Sequence, residues 1–314
     1  MHRIGSHNNK EQNLIKKICH AISNGLFSEV HLLIENFGNE TVDNPDADTV
    51  QAISGTVQIW EEHVASVQTM EPYSASEFLL RQWNKFLKSE LKAALPDQVI
   101  YSLKSVIFTK TLKGYLELYN MSGIEDFEIL SKVGYIYKEL GNYDQAIQSL
   151  ELARQQQKND PRILMLLADS YAQVDEIRAA KLFFREALFI DPALCMEIEC
   201  EAAFICTLLD KMREEKIPES LLYFWLPVYA TVTGLFNVKR ELKPVEIGKL
   251  KQSIQVLEQN LPEERHAPQR ALLLNRYFWL LDHYEGIQAQ KLLKDEILLK
   301  MKEIDSFLFE RYIH

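Results

Sequence analysis

An all-α fold follows from three features of this sequence. Apolar residues recur at spacings of three and four along almost its whole length, alternation at a period of two is nearly absent, and one stretch repeats itself at a fixed interval of 34 residues. Glycine and proline are scarce, at 11 and 10 of 314 residues, which suits long helices joined by short turns. Apolar residues make up 47% and charged residues 25%, enough of the former to build real cores.

In chain order, Leu14, Ile15, Ile18 and Ile22 form one helical face that ends at Gly25, and a short helix carrying Val30, Leu33, Ile34 and Phe37 stops at Gly38. The polar stretch 39–48, with Pro45 among four acids, reads as a hinge loop. Further helices are expected over 49–70, 76–95 and 97–121, the second capped by Ser76 and the last closed by Gly123.

The repeat follows. At a shift of 34, Leu130 falls on Leu164, Val133 on Leu167, Gly134 on Ala168 and Tyr137 on Tyr171; then Ala146 falls on Ala180, Leu150 on Phe184 and Ala153 on Ala187. Small residues at matched positions let two helices approach, and the large ones fill the groove beside them. Gly141 and Asn142 turn the chain in the first copy, Asp175 replaces the glycine in the second, and Asp191-Pro192 ends it. The segment 193–212 supplies Ile198, Ala202 and Ile205 as a capping helix, but Glu214 and Pro218 break the pattern of a third copy.

These residues resemble the tetratricopeptide repeat family over about 127–192, two copies in register. The resemblance implies a right-handed α-α superhelix of helical hairpins with additional N- and C-terminal helices, divided as 1–122, 123–214 and 215–314. Two copies alone bury too little surface to be stable, so the flanking helices are expected to complete the core. The resemblance also implies a protein or peptide partner held in a groove lined by Glu128, Ser131, Tyr135 and Lys138 from one copy and Arg162, Met165, Asp169 and Ala172 from the next. Lys138 and Arg162 stand out as exposed anchors for a carboxylate. The lysine-and-asparagine clamp that some members use for a peptide C-terminus is not matched at Ser131 and Tyr135.

The uncharged run 220–238 is long enough to span a bilayer, but Pro227, two threonines and Asn237 interrupt it, so a buried helix over 221–229 and an extended piece over 232–238 are expected instead. Helices opened by Pro244 and Pro268 follow, with one last helix over 288–311 after Gly286. The aromatic clusters at 223–225 and 277–279 suit a core, or alternatively a pocket.

A formal net charge of −10 disfavours nucleic acid. Cys19, Cys195, Cys200 and Cys206 lack metal-ligand spacing, so neither a metal nor another cofactor is expected. Unpaired thiols and a polar N-terminal stretch point to the cytoplasm. No phosphate loop, nucleophile elbow or HExxH helix is present, and the adjacent Glu61, Glu62 and His63 point in different directions on a helix, so a scaffold rather than an enzyme is expected. The rivals are a structural subunit that self-associates or joins one obligate complex, and an all-helical enzyme with a pocket in the C-terminal third.

Overall fold

The computed structural model describes residues 2–40, 47–122, 126–285 and 291–314. Those residues form an all-α helical repeat fold with no strand. In order they are α1 (His2–Ser23), α2 (Phe27–Glu40), α3 (Ala47–Ser66), α4 (Pro72–Leu87), α5 (Glu90–Ala93), α6 (Asp97–Ser122), α7 (Phe127–Glu139), α8 (Tyr143–Gln156), α9 (Pro161–Gln173), α10 (Ile177–Ile190), α11 (Pro192–Cys195), α12 (Ala203–Glu214), α13 (Leu222–Val232), α14 (Pro244–Gln259), α15 (Pro268–Tyr284), α16 (Lys291–Ile304) and α17 (Ser306–Ile313). Residues 41–46 of the expected hinge, Gly123 and Gly286 lie outside the described residues.

The helices gather into two compact units, Met1–Asn142 and Tyr143–His314, each around its own apolar core. This differs from the expected three-way division at 122/123 and 214/215. α7 belongs to the first core, and the whole chain from α8 onward belongs to the second.

In the first unit an aromatic nest joins α3, α4 and α6. The Trp83 ring lies 5.7 Å from Trp60, 5.3 Å from Phe86 and 5.5 Å from Phe108. α4 and α6 cross closely where Gly114 meets α4, and a Cβ there would collide with the Ser76 hydroxyl and the Pro72 carbonyl. Ser76 is therefore not the cap that the sequence suggests. Pro72 opens α4 four residues earlier, and the buried Ser76 hydroxyl bonds the Pro72 and Thr111 carbonyls, each at 2.9 Å.

The repeat is reproduced to the residue. α7 and α9 begin 34 apart, as do α8 and α10. Asp126 caps α7 by accepting from the backbone N–H of Glu128 and Ile129 at 2.9 and 3.1 Å. Asp160 caps α9 through Arg162 and Ile163 at the same two distances. Gly141 turns with φ +76°, and Asp175, its counterpart, takes φ +63°. Behind each turn one backbone bond recurs, Asn142 to Tyr137 at 2.8 Å and Glu176 to Tyr171 at 2.9 Å. Such left-handed closure favours glycine, and aspartate is among the few other residues that enter it readily.

α9 and α10 share a more extensive contact than any other pair of helices in the second unit. Ala168, Ala180 and Ala187 are fully buried there, so the backbones approach without a side chain between them, while Leu164, Leu167 and Phe184 fill the space alongside. Arg185 ties α10 to α15: one guanidinium nitrogen pairs with Asp282, another donates to the Val238 carbonyl at 2.8 Å, and the group lies 4.6 Å from the Trp279 ring centre. A buried guanidinium is tolerable when its donors are satisfied in this way.

Three expectations change. The segment 193–212 is not one helix, because Asp191 caps a short α11 and the chain then runs irregularly to α12. Residues 233–238 carry no strand, and although the helix before them is buried over most of its length, Leu221 and Phe224 are only half-buried beside the wholly buried Leu226. The last helix is two, because Asp305 leaves helical geometry at φ −151° and caps α17 through the Leu308 N–H at 3.0 Å. No helix among the described residues is long and apolar enough to cross a membrane.

The α9–α10 contact is tight enough to test. Ala168→Leu should lower stability by about 1–3 kcal/mol through overpacking, read as a fall in the melting temperature of the full chain. An unchanged value would contradict the packing.

Candidate protein-binding surface

The expected groove residues sit on the first helices of the two copies, α7 in the first unit and α9 in the second, and they divide sharply by burial. Glu128 is exposed, and Ser131 and Tyr135 are half-buried. Lys138, Met165 and Asp169 are buried, at 1%, 0% and 0% exposure. Arg162 is exposed and Ala172 half-buried.

On α7, Glu128 pairs with Lys132 at 2.6 Å, and the Ser131 hydroxyl bonds the Phe127 carbonyl at 2.6 Å. Tyr135 packs against Phe108, ring centres 5.9 Å apart. Lys132, which the sequence did not single out, is the organising cation of this face. It lies 2.5 Å from Glu77 of α4, whose carboxylate also accepts from the Tyr115 hydroxyl of α6 at 2.5 Å. Burial pushes the Glu77 carboxyl up, but the bonds from Lys132 and Tyr115 outweigh it and leave the group below its ordinary range. Burial and the neighbouring Glu77 both raise the Tyr115 phenol.

Lys138 is not the exposed anchor that its position suggested. Its ammonium lies 3.2 Å from Glu139, whose other oxygen holds Lys104 at 2.8 Å. Both lysines are partnered within the first unit.

α9 departs furthest from a groove-lining helix. Every residue from Ile163 to Ser170 is buried. Met165 belongs to the core of the second unit. Asp169 accepts from the backbone N–H groups of Glu201 and Ala202 at 2.9 and 2.7 Å and from the Cys200 thiol at 3.4 Å. It thus fixes the irregular passage between α11 and α12 across α9. Met165 and Asp169 hold the fold together from inside, and expecting them to meet a partner was wrong on grounds of access. Arg162, at the start of α9, stays at the surface and bonds Glu197 at 3.1 and 3.0 Å.

Elsewhere the expected chemistry separates as its helical positions require. Glu61 turns toward His31 at 3.2 Å, whereas His63 packs edge-on to Trp60 and Phe78, so the two do not share a site. Burial lowers the His63 pKa and raises that of the Cys200 thiol. Among the described residues no group of three metal-ligating side chains comes together. Trp225, Tyr277 and Trp279 are core residues; the Trp225 indole donates to the His266 carbonyl at 3.1 Å and the Tyr277 hydroxyl to Glu258 at 2.6 Å.

With this geometry in place, the comparisons fit one part of the chain. A family model described as tetratricopeptide repeat matches residues 127–156, which are α7, α8 and the turn between them. The chain therefore carries a tetratricopeptide repeat, and α9–α10 repeats its element lengths, cap and turn. No curated protein matches the sequence.

Two outcomes follow. Asp169→Ala orphans two backbone donors and should destabilise the full chain by about 2–4 kcal/mol, measured by denaturant unfolding; a change within error would remove its anchoring role. Because the Glu77 pKa is lowered on folding, its contribution is complete above the ordinary value of 4.5 and fades as pH falls through the folded-state value. Glu77→Gln should therefore lose less melting temperature than wild type between neutral pH and about pH 4. Equal losses would show that Glu77 carries none of the acid sensitivity.

Proposed function

We propose that this protein is a protein–protein interaction module or assembly scaffold that catalyses nothing and works in the cytoplasm. The observation that carries the reading is the tetratricopeptide hairpin at α7–α8 with its in-register copy at α9–α10. Helical hairpins of this kind expose extended helix faces, and such surfaces suit segments of other proteins.

Accessible among the expected positions are Glu128, Ser131 and Tyr135 on α7 of the first unit and Arg162 on α9 of the second, and each set is proposed as a contact surface of its own unit. Lys138, Met165 and Asp169 serve the fold instead. A net charge of −10 favours a protein over a nucleic acid as partner.

The test is affinity capture from the native cell with wild type and with Ser131→Arg/Arg162→Glu, after circular dichroism confirms that both are folded. Exposed and half-exposed changes of this kind shift stability by about 0.5 kcal/mol or less. A partner retained by wild type and lost by the variant supports the reading. Equal recovery removes these positions, and a chain that recovers only copies of itself favours the self-associating subunit.

A further inference from the structure

Outside the repeat, α3, α4 and α5 of the first unit build a recess beside a ridge of positive charge. The recess has a volume of about 170 Å³, the scale of one large side chain, and its walls include Ile59, Trp60, Phe86 and Leu91. Thr56 also lines it. That residue is 1% exposed, and its hydroxyl has no hydrogen-bond partner. A buried hydroxyl with no partner is costly unless something supplies one, so an occupant with a polar tip satisfies what the chain leaves unmet.

The ridge is on α4. Arg81 and Lys85 lie one turn apart on one face, Lys88 follows three residues on as the residue that ends the helix, and all three are exposed. Lys85 and Lys88 make no ion pair among the described residues, while Arg81 lies over the Phe78 ring at 5.9 Å and its charge helps to hold the Glu77 carboxyl down. Lys85 lines the recess on one side and, on the other, a groove of about 350 Å³ bounded also by Arg81, Lys88 and Leu80. Lys132 borders that groove too, but Glu77 and Glu128 already neutralise it.

The geometry points to a docking site for a short acidic peptide that inserts one tyrosine side chain into the α3–α4–α5 recess and lays its carboxylates along Arg81, Lys85 and Lys88. The aromatic ring meets Trp60 and Phe86, the phenol hydroxyl meets Thr56, and the acids meet Lys85 and Lys88, which make no ion pair of their own among the described residues, with Arg81 beside them. A polyanion such as RNA fits less well. The ridge offers only three cations, the Glu77 carboxylate borders the groove, and the recess suits an apolar side chain that a phosphate backbone does not supply. This rests on the reading of the chain as an interaction protein and adds a site that the repeat does not contain.

The probe is a fluorescein-labelled, capped peptide Asp-Glu-Asp-Tyr-Asp-Glu, titrated by anisotropy against the full chain at low salt. Replacing its tyrosine with alanine, or charge reversal in Lys85→Glu/Lys88→Glu, should each weaken binding by about tenfold or more. Thr56→Val should abolish the preference for tyrosine over phenylalanine in the peptide while leaving the phenylalanine peptide's affinity unchanged, a readout that a folding defect does not produce. Absence of binding, equal affinity for the alanine peptide, or tighter binding of a short single-stranded RNA would each overturn the site. Such a failure, alongside a captured partner lost from the Ser131→Arg/Arg162→Glu variant, sinks this site and leaves the interaction reading standing.

Discussion

The close approach of α9 and α10 sets the rest of the second unit. Ala168, Ala180 and Ala187 have no exposed surface and no bulk to hold the helices apart. The turn between the helices is closed by Asp175 in a left-handed conformation, as Gly141 closes its counterpart 34 residues earlier. With the pair this close, the large residues on its flanks define the shape that α11, α12, α13 and α15 must fit. Arg185 then fixes α10 to α15 by a charged, fully engaged contact rather than by apolar surface alone.

The same tightness decides what the repeat can do. A first helix that lined an open groove would show an alternation of buried and accessible positions. α9 shows an unbroken buried run, because Asp169 draws the backbone of Glu201 and Ala202 across it. The copy on α7 keeps a more open face, organised by Lys132 between Glu77 and Glu128. The proposed recognition surfaces are therefore the accessible part of α7, Arg162 and, outside the repeat, the α4 ridge.

Much of the fold was legible because it is periodic. The match of small and large residues at 34 placed both copies in register, and all of those positions except the two tyrosines are buried. The openings at Pro244 and Pro268 were equally plain, since proline suits the first turn of a helix. The caps at Asp126 and Asp160 were also present at the repeat interval and could have been found. What sequence could not supply was long-range. Ser76 resembled a cap but bridges α4 to α6, and Asp305 divides what periodicity drew as one helix. Lys138 and Asp169 have the chemistry of surface contacts, and only the fold shows them to be structural: Lys138 shares Glu139 with the distant Lys104, and Asp169 holds the backbone of Glu201 and Ala202 and the Cys200 thiol. The Glu77–Tyr115–Lys132 cluster joins three helices and leaves no local pattern at all.

The central claim is that α9 is a core helix rather than a groove-lining one, and Met165 tests it most directly. A glutamate at that position would be harmless at the floor of an open groove, with a stability change of about 0.5 kcal/mol or less. Buried without a partner charge, it should cost about 3 kcal/mol or more. Denaturant unfolding of Met165→Glu is therefore the decisive measurement: a loss of that size bears out the closed arrangement, and a midpoint equal to that of wild type would contradict it.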